Sequence, residues 1–162
     1  MPNWCSNYAV FTGSEAAIKT MTDAVNSAIA NENKDGCGQH IYDDVSSHRY
    51  CFYIELFEST KDSIRFGFET KWAPDLDMVS DWCGKLGLSG SVAYEECGMQ
   101  VYGYAIISAD GSVLNREVPQ SFLDKIEYVE TDDGNTFYKY NGEDYDCIND
   151  LINEKFYGEN VL

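Results

Sequence analysis

The sequence predicts an α+β fold in which two helices pack on one face of a mostly antiparallel sheet. Three observations predict it. Several short segments alternate apolar and polar residues with a period of two, and two segments repeat apolar residues every three or four positions. These segments follow one another in the order β-α-β-β-α-β-β. A chain of 162 residues is long enough for one such domain with an appendage.

The first strand and helix are predicted near the N-terminus. Residues 5–11 alternate as a strand does, and Thr12-Gly13 ends them. Ser14 is the expected N-cap of a helix that runs to about Ala30. Its apolar stripe consists of Ile18, Met21, Val25, Ala28 and Ile29. The polar, Gly-containing stretch 31–48 is typical of a loop or insertion.

Two hairpins flank a second helix. The aromatic and β-branched segments 49–57 and 63–71 predict the first hairpin. Pro74 favours a helix start, and Gly87 favours a helix end. A second hairpin is predicted for residues 89–96 and 100–108, with a short strand near Val113. The whole order is that of the ferredoxin-like split βαβ arrangement with an additional strand.

The remainder of the chain predicts an extension. Segments 126–131 and 136–140 surround a turn that contains Asp133-Gly134, a strong hairpin signal. Helical spacing of apolar residues follows in 144–157. We therefore divide the chain into a ferredoxin-like domain, residues 1–118, and an acidic hairpin-helix extension packed on it, residues 119–162.

Charge is the second strong feature of this sequence. Twenty-eight acidic residues against eleven basic ones give a net charge of −17. Such a field repels nucleic acid and anionic lipid, so neither direct nucleic-acid binding nor membrane binding is expected. The N-terminus also lacks the basic and apolar regions of a secretory signal, which predicts a cytoplasmic protein. The acidity serves solubility, or it presents a surface to a basic partner.

The extension carries the densest acidic charge. Residues 127–154 contain nine acidic side chains and one lysine, interleaved with tyrosines. Acids spread over a hairpin and a helix can imitate the spacing of nucleic-acid phosphates, and tyrosine is enriched at interface hot spots. The alternative is an ordinary solvated face. The predicted partner-binding residues are Glu130, Asp132, Asp133, Tyr138, Tyr140, Glu143, Asp144, Tyr145 and Asp146.

One arrangement suggests a metal site. Cys37, His40, His48 and Cys51 form a C-x2-H and H-x2-C pair that includes both histidines of the chain. Two thiolates and two imidazoles are a ligand set of structural zinc. The gap between the pairs is short, and the second pair runs into a predicted strand. Zinc is thus the one cofactor that the sequence offers, against the alternative of plain loop residues.

The sequence gives little sign of catalysis. It contains neither a GxGxxG nor a GxxxxGK[ST] phosphate loop. Glu95 and Glu96 are adjacent on a predicted strand, so their carboxylates would point to opposite faces. We therefore expect a non-enzymatic protein with no catalytic residues.

Three tryptophans remain to be placed. Trp82 lies on the stripe of the second predicted helix and belongs to the core. Trp4 and Trp72 stand at strand ends, where they would close the core or line a pocket. Core closure is our interpretation for both.

Three segments resemble a known family. They are the opening residues 1–13, residues 66–74 (FGFETKWAP) and residues 94–103 (YEECGMQVYG). Over residues 1–111 the chain resembles the YubB ferredoxin-like family of proteins carried by phages and plasmids. That family has no accepted active site to transfer to this sequence.

The resemblance implies an accessory protein of a mobile element. Such a protein would bind and inhibit a host nucleic-acid-binding protein, such as a CRISPR or restriction component, through an acidic, DNA-mimicking surface. The alternative is a small-ligand or zinc-binding regulatory domain.

Overall fold

The computed structural model describes residues 3–42 and 49–158. The fold is α+β, as the sequence predicts. The chain folds as two compact units, Met1–Glu117 and Val118–Leu162. Hereafter they are called unit 1 and unit 2.

Unit 1 contains six strands and two helices. They are β1 (Trp4–Thr12), α1 (Glu15–Asp35), β2 (Phe52–Ser59), β3 (Ser63–Lys71), α2 (Leu76–Leu86), β4 (Ser89–Glu96), β5 (Val101–Ile107) and β6 (Val113–Glu117).

The six strands form one antiparallel sheet in the order β2-β3-β1-β4-β5-β6. The part β2-β3-β1-β4 is the ferredoxin-like split βαβ order. β5 and β6 extend the sheet beyond β4. Ala9 marks the middle of the sheet, where it pairs with Phe66 on β3 and with Val92 on β4.

Both helices pack on the same face of this sheet, which confirms the predicted layers. Alternate residues of β1, such as Ala9 and Phe11, are fully buried there. Ile18, Met21 and Val25 of α1 and Met78, Val79, Trp82 and Cys83 of α2 belong to the same buried cluster. The period of two in the strands and the stripes of the helices therefore build one core.

The helix caps agree with the sequence better than the helix lengths do. The Ser14 hydroxyl accepts a hydrogen bond from Ala17 N, and Gly87 ends α2 with φ of 68°. α1 continues to Asp35, so a loop beginning at residue 31 was wrong. α2 begins at Leu76 because Asp75, not Pro74, caps it with a hydrogen bond from Met78 N.

The tryptophans do not all close the core. Trp82 is buried, as predicted. Trp4 is half-buried against Phe52, with ring centroids 4.8 Å apart. Trp72 is 50% exposed and takes a positive φ of 71°, so core closure was wrong for this residue.

Unit 2 contains a second, three-stranded sheet. Its elements are α3 (Gln120–Leu123), β7 (Glu127–Glu130), β8 (Thr136–Tyr140), β9 (Glu143–Tyr145), α4 (Ile148–Ile152) and a π-helical turn, Asn153–Tyr157. The β7–β8 hairpin is confirmed. A helix over residues 144–157 was wrong at its start, because Glu143–Tyr145 pairs with β8 as a strand. Asn141 and Gly142, both with positive φ, make the tight turn that allows this pairing.

Candidate protein-binding surface

Unit 2 carries far more charge for its size than unit 1. Residues 118–162 hold eleven acidic and three basic side chains, a net charge of −8 in 45 residues. The other 117 residues share a net charge of −9. All nine predicted partner-binding residues lie in unit 2.

A row of tyrosines crosses one face of the three-stranded sheet. Tyr128 on β7 pairs with Tyr138 on β8, and Tyr138 pairs with Tyr145 on β9. Residues paired across neighbouring strands point to the same face. The Tyr128 and Tyr138 rings lie 5.6 Å apart, and Tyr128 is 60% exposed.

Tyr128 was missed in the predicted set, although it is the most exposed aromatic residue of this row. The signal that could have found it is the hairpin register. Once Asp133-Gly134 is accepted as the turn, Tyr128 must stand opposite Tyr138. Tyr140 behaves in the opposite way, since its ring packs 5.1 Å from Phe122, which in turn packs 5.1 Å from Phe156. Tyr140 therefore anchors the unit.

Lys155 joins one predicted residue, Glu143, to Glu154, which the sequence analysis did not select. Its Nζ lies 2.5 Å from Glu143 Oε2 and 2.8 Å from Glu154 Oε1. The Tyr145 hydroxyl donates to Glu143 Oε2 at 2.9 Å. The hydrogen bond from Lys155 lowers the pKa of Glu143 and that of Glu154. Both carboxylates are therefore ionised, and their charge is partly offset by the lysine.

The remaining predicted acids differ in how tightly they are held. Asp133 accepts hydrogen bonds from Thr131 Oγ1 and Asn135 Nδ2 within the β7–β8 turn, and the Thr131 bond lowers its pKa. Asp144 lies 3.6 Å from Lys139. Glu130, Asp132 and Asp146 are exposed, and none of them makes an ion pair with a residue of 3–42 or 49–158.

The acids therefore lie on both sides of the tyrosine row, one group toward each end of β8. Asp132 and Asp133 sit at the β7–β8 turn, and Glu143 sits beside the β8–β9 turn. The four residue steps of β8 between these turns span about 13 Å at about 3.3 Å per step. We call the row Tyr128, Tyr138 and Tyr145, with the acids on both its sides, the acid-tyrosine surface.

The predicted zinc ligands occupy different environments. Cys51 is fully buried, and its Sγ lies 3.9 Å from Met78 Sδ. Burial raises the pKa of the Cys51 thiol, which opposes the thiolate form that zinc requires. Cys37 is exposed, and the His40 ring packs 4.5 Å from Tyr50. His48 lies outside the described residues, within which no three His, Cys, Asp or Glu side chains gather as a metal site would require.

Glu95 and Glu96 do not form an acid/base pair. Glu96 is buried, and its two carboxylate oxygens accept hydrogen bonds from Gly98 N and Met99 N. The Glu96 carboxylate thus stabilises the β4–β5 turn.

Unit 1 contains a cavity of about 630 Å³ on the helix-bearing face. Such a volume lies within the usual range of ligand pockets. The residues that line it come from the start of α2 and from several strands: Arg49, Tyr50, Phe52, Thr70, Lys71, Ala73, Pro74, Asp75, Leu76, Asp77, Tyr94, Val101, Asn115 and Glu117.

Comparison with known families places the fold. Residues 49–141 match the family described as "Ferredoxin-like domain in Api92-like protein". The chain belongs to this family. No curated protein and no solved structure matches the chain significantly.

The Api92-like match begins just before β2 and ends at the β8–β9 turn. It therefore includes the first hairpin of unit 2, which the resemblance over residues 1–111 leaves out. As to membranes, none of the helices within 3–42 and 49–158 has the length and apolar character needed to cross one.

Proposed function

We propose that this chain is a non-enzymatic protein-binding module that docks through the acid-tyrosine surface onto a basic surface of another protein. The observation that carries the proposal is the register of β7, β8 and β9, which sets three tyrosines in one row between two groups of carboxylates. Tyrosine supplies large contact area at low entropic cost, and flanking charge steers association.

The proposed target is a nucleic-acid-binding protein of the host cell. Such a protein carries a basic surface that ordinarily meets phosphates, and carboxylates flanking an aromatic row would occupy it. The net charge of −17 supports a protein partner rather than direct contact with nucleic acid.

The choice of a CRISPR or restriction component, and inhibition as the outcome, rests on the resemblance to the phage- and plasmid-borne YubB family alone. That resemblance, like the proposed DNA mimicry, stays a prediction.

The zinc alternative has less support. Its four residues would need Cys51 to leave the core and lose its contact with Met78. Elemental analysis of protein purified without added metal is the direct test. About one equivalent of zinc, with loss of stability on chelation, would favour this alternative over the binding module.

A host-lysate pull-down tests the binding module. The variant E130Q/D132N/D146N removes three charges that make no ion pair within the described ranges, so it should fold normally. We expect it to recover the basic partner at low salt only. The wild type should keep that partner to a higher ionic strength, because it has three more charges to be screened. The Debye length falls to about 3 Å at 1 M salt, where charge attraction is largely lost.

A matched control removes three exposed acids of unit 1 that make no ion pair within the described ranges, in the variant E15Q/E55Q/D62N. It should behave as the wild type does. If the two triple variants lose the partner at the same salt concentration, general acidity explains the binding and the proposed surface is wrong.

A further inference from the structure

We propose that β6, an edge strand of the six-stranded sheet, pairs with an extended segment of a partner protein that carries a basic side chain beside the cavity and an apolar one on the opposite face. This site lies in unit 1 and does not depend on the acid-tyrosine surface.

The backbone of β6 is regular and exposed. Its five residues pair with β5 without a register shift, from Gly103↔Glu117 to Ile107↔Val113, and all five are exposed. Ser108 N donates to Ser112 O at 2.9 Å, which fixes the alternation of bonded pairs in this hairpin. The N–H and C=O groups of Val113, Asn115 and Glu117 therefore point away from β5.

Among residues 3–42 and 49–158, no backbone group forms a hydrogen bond with these outward N–H and C=O groups. Three donors and three acceptors at one edge are a template for an added strand.

The opposite edge of the sheet is irregular, and it is capped at its start. β2 has two register shifts against β3. The Glu32 carboxylate of α1 accepts hydrogen bonds from Tyr53 N at 2.7 Å and from Ile54 N at 2.9 Å. Bulges and capped donors are the devices by which proteins prevent strand addition. The contrast singles out β6 as the edge that is left open.

The cavity beside β6 determines the chemistry on one face. Asn115 and Glu117 line the cavity from β6, and Tyr94 lines it from β4. The Tyr94 hydroxyl donates to Asn115 Oδ1 at 2.8 Å, so the ring lies across Gly103 as a floor.

Glu117 makes no ion pair among the described residues, whereas the Arg49 guanidinium, which also lines the cavity, is held by Asp75, Asp77 and Asp81. A lysine or arginine opposite Glu117 would meet a carboxylate and an aromatic face.

The other face of β6 selects an apolar residue. Leu114 is 55% exposed, and its β5 partner Ile106 is 41% exposed. A strand added beside β6 would place alternate side chains on the two faces. The partner segment is thus expected to alternate basic and aliphatic residues.

A second copy of this chain fits the edge less well. Antiparallel pairing of two β6 strands about Asn115 would set Leu114 opposite Arg116 and Val113 opposite Glu117. It would also join two molecules that each carry a charge of −17.

Synthetic peptides test the proposal by nitrogen-15 NMR of the whole chain. The probe is an acetylated and amidated seven-residue peptide of alternating lysine and valine. One control has N-methylated central amides, and another has glutamate in place of lysine. We expect the probe to shift and protect the amides of Val113, Asn115 and Glu117. The N-methylated control should bind about tenfold more weakly or worse, because each lost hydrogen bond costs about 0.5–1.5 kcal/mol.

Two variants complete the test. V113P removes the first outward N–H donor at the start of β6, where proline is tolerated. It should weaken binding of the probe by about tenfold and leave the circular dichroism spectrum unchanged. E117Q should weaken binding of the probe by about two- to fivefold. E55Q, on the opposite edge strand β2, is its matched control.

Equal binding of the N-methylated peptide, or amide shifts confined to residues 118–158, would mean simple charge attraction and overturn the proposal. A dimer in sedimentation that V113P dissolves would make a second copy the occupant and overturn it as well.

Discussion

Gly103 shows how one missing side chain shapes unit 1. A Cβ at this position would lie 2.0 Å from the Tyr94 ring, far inside contact distance. The ring can cross β5 to reach Asn115 only because position 103 carries no side chain.

We expect G103A to lower the free energy of unfolding by about 1–3 kcal/mol, because the Tyr94 ring must leave its position. Chemical denaturation measures the loss. The double variant G103A/Y94A provides the control, since the alanine methyl no longer meets a ring there. It should be less destabilised than the sum of the single variants, and simple additivity would contradict the proposed clash.

The six cysteines fall into two classes of reactivity. Cys37, Cys97 and Cys147 are exposed, whereas Cys5, Cys51 and Cys83 are buried. Burial also raises the pKa of the Cys5 and Cys83 thiols to about 12. We expect an aromatic disulfide reagent at pH 8 to modify three thiols quickly and the other three only in denaturant. Four or more fast thiols in the native protein would contradict the described core.

At the scale of elements, Glu32 joins the last turns of α1 to the edge of β2. Its carboxylate is the acceptor for two backbone donors that the irregular β2–β3 register leaves without ladder partners. This contact also explains why α1 continues past Ala30 through a polar stretch whose sequence predicts a loop.

E32A should lower the free energy of unfolding by about 1–3 kcal/mol, because two N–H groups, of which that of Ile54 is partly buried, lose a charged acceptor. E32Q keeps one acceptor oxygen and should fall between E32A and the wild type. The exposed neighbour N33A is the matched control and should stay within about 0.5 kcal/mol of the wild type. Thermal and denaturant unfolding would show whether this order holds.

Structure could be predicted from the sequence where the contacting residues lie close together along the chain, and could not where they lie far apart. The strands and helix caps of unit 1 follow from local periodicity and from Ser14 and Gly87. Asn141-Gly142 carries a local turn signal too, but the helical spacing of the apolar residues after it dominates the pattern and hides the short strand β9.

For the acid-tyrosine surface, the sequence predicted a stretch rich in acids and tyrosines but not how their side chains are arranged. Which acids are held internally depends on Lys155, which the fold brings from the C-terminal turn to Glu143. Sequence spacing gives no sign of that contact.

At the scale of the whole molecule, charge repulsion and individual carboxylates act in opposite directions on stability. Repulsion among the excess acids weakens as the pH falls from 7 toward the isoelectric point, about 4.2. Glu69 acts in the same sense, since desolvation raises its pKa and protonation removes the cost of burying its charge. The pKa values of Asp110, Asp133, Glu143 and Glu154 are lowered, so their contribution is present above the unfolded pKa and lost as the pH falls through the folded one.

We therefore expect the melting temperature to rise as the pH is lowered from 7 to about 5. Below about pH 4, close to the ordinary pKa values of Asp and Glu, it should decrease again. Adding about 0.5 M sodium chloride at pH 7 should raise it by screening, and the same salt at pH 5 should have a smaller effect. Differential scanning fluorimetry across both series measures this. A melting temperature that is independent of salt at pH 7 would show that the net charge does not limit stability.

The unequal edges of the six-stranded sheet also limit how it can grow. A sheet that is open at both edges can add copies without end and become a fibre. Here Glu32 and the bulges of β2 oppose strand addition at one edge, so a segment paired with β6 would complete the sheet rather than extend it. A chain with one irregular, capped edge therefore does not depend on its charge alone to avoid polymerising.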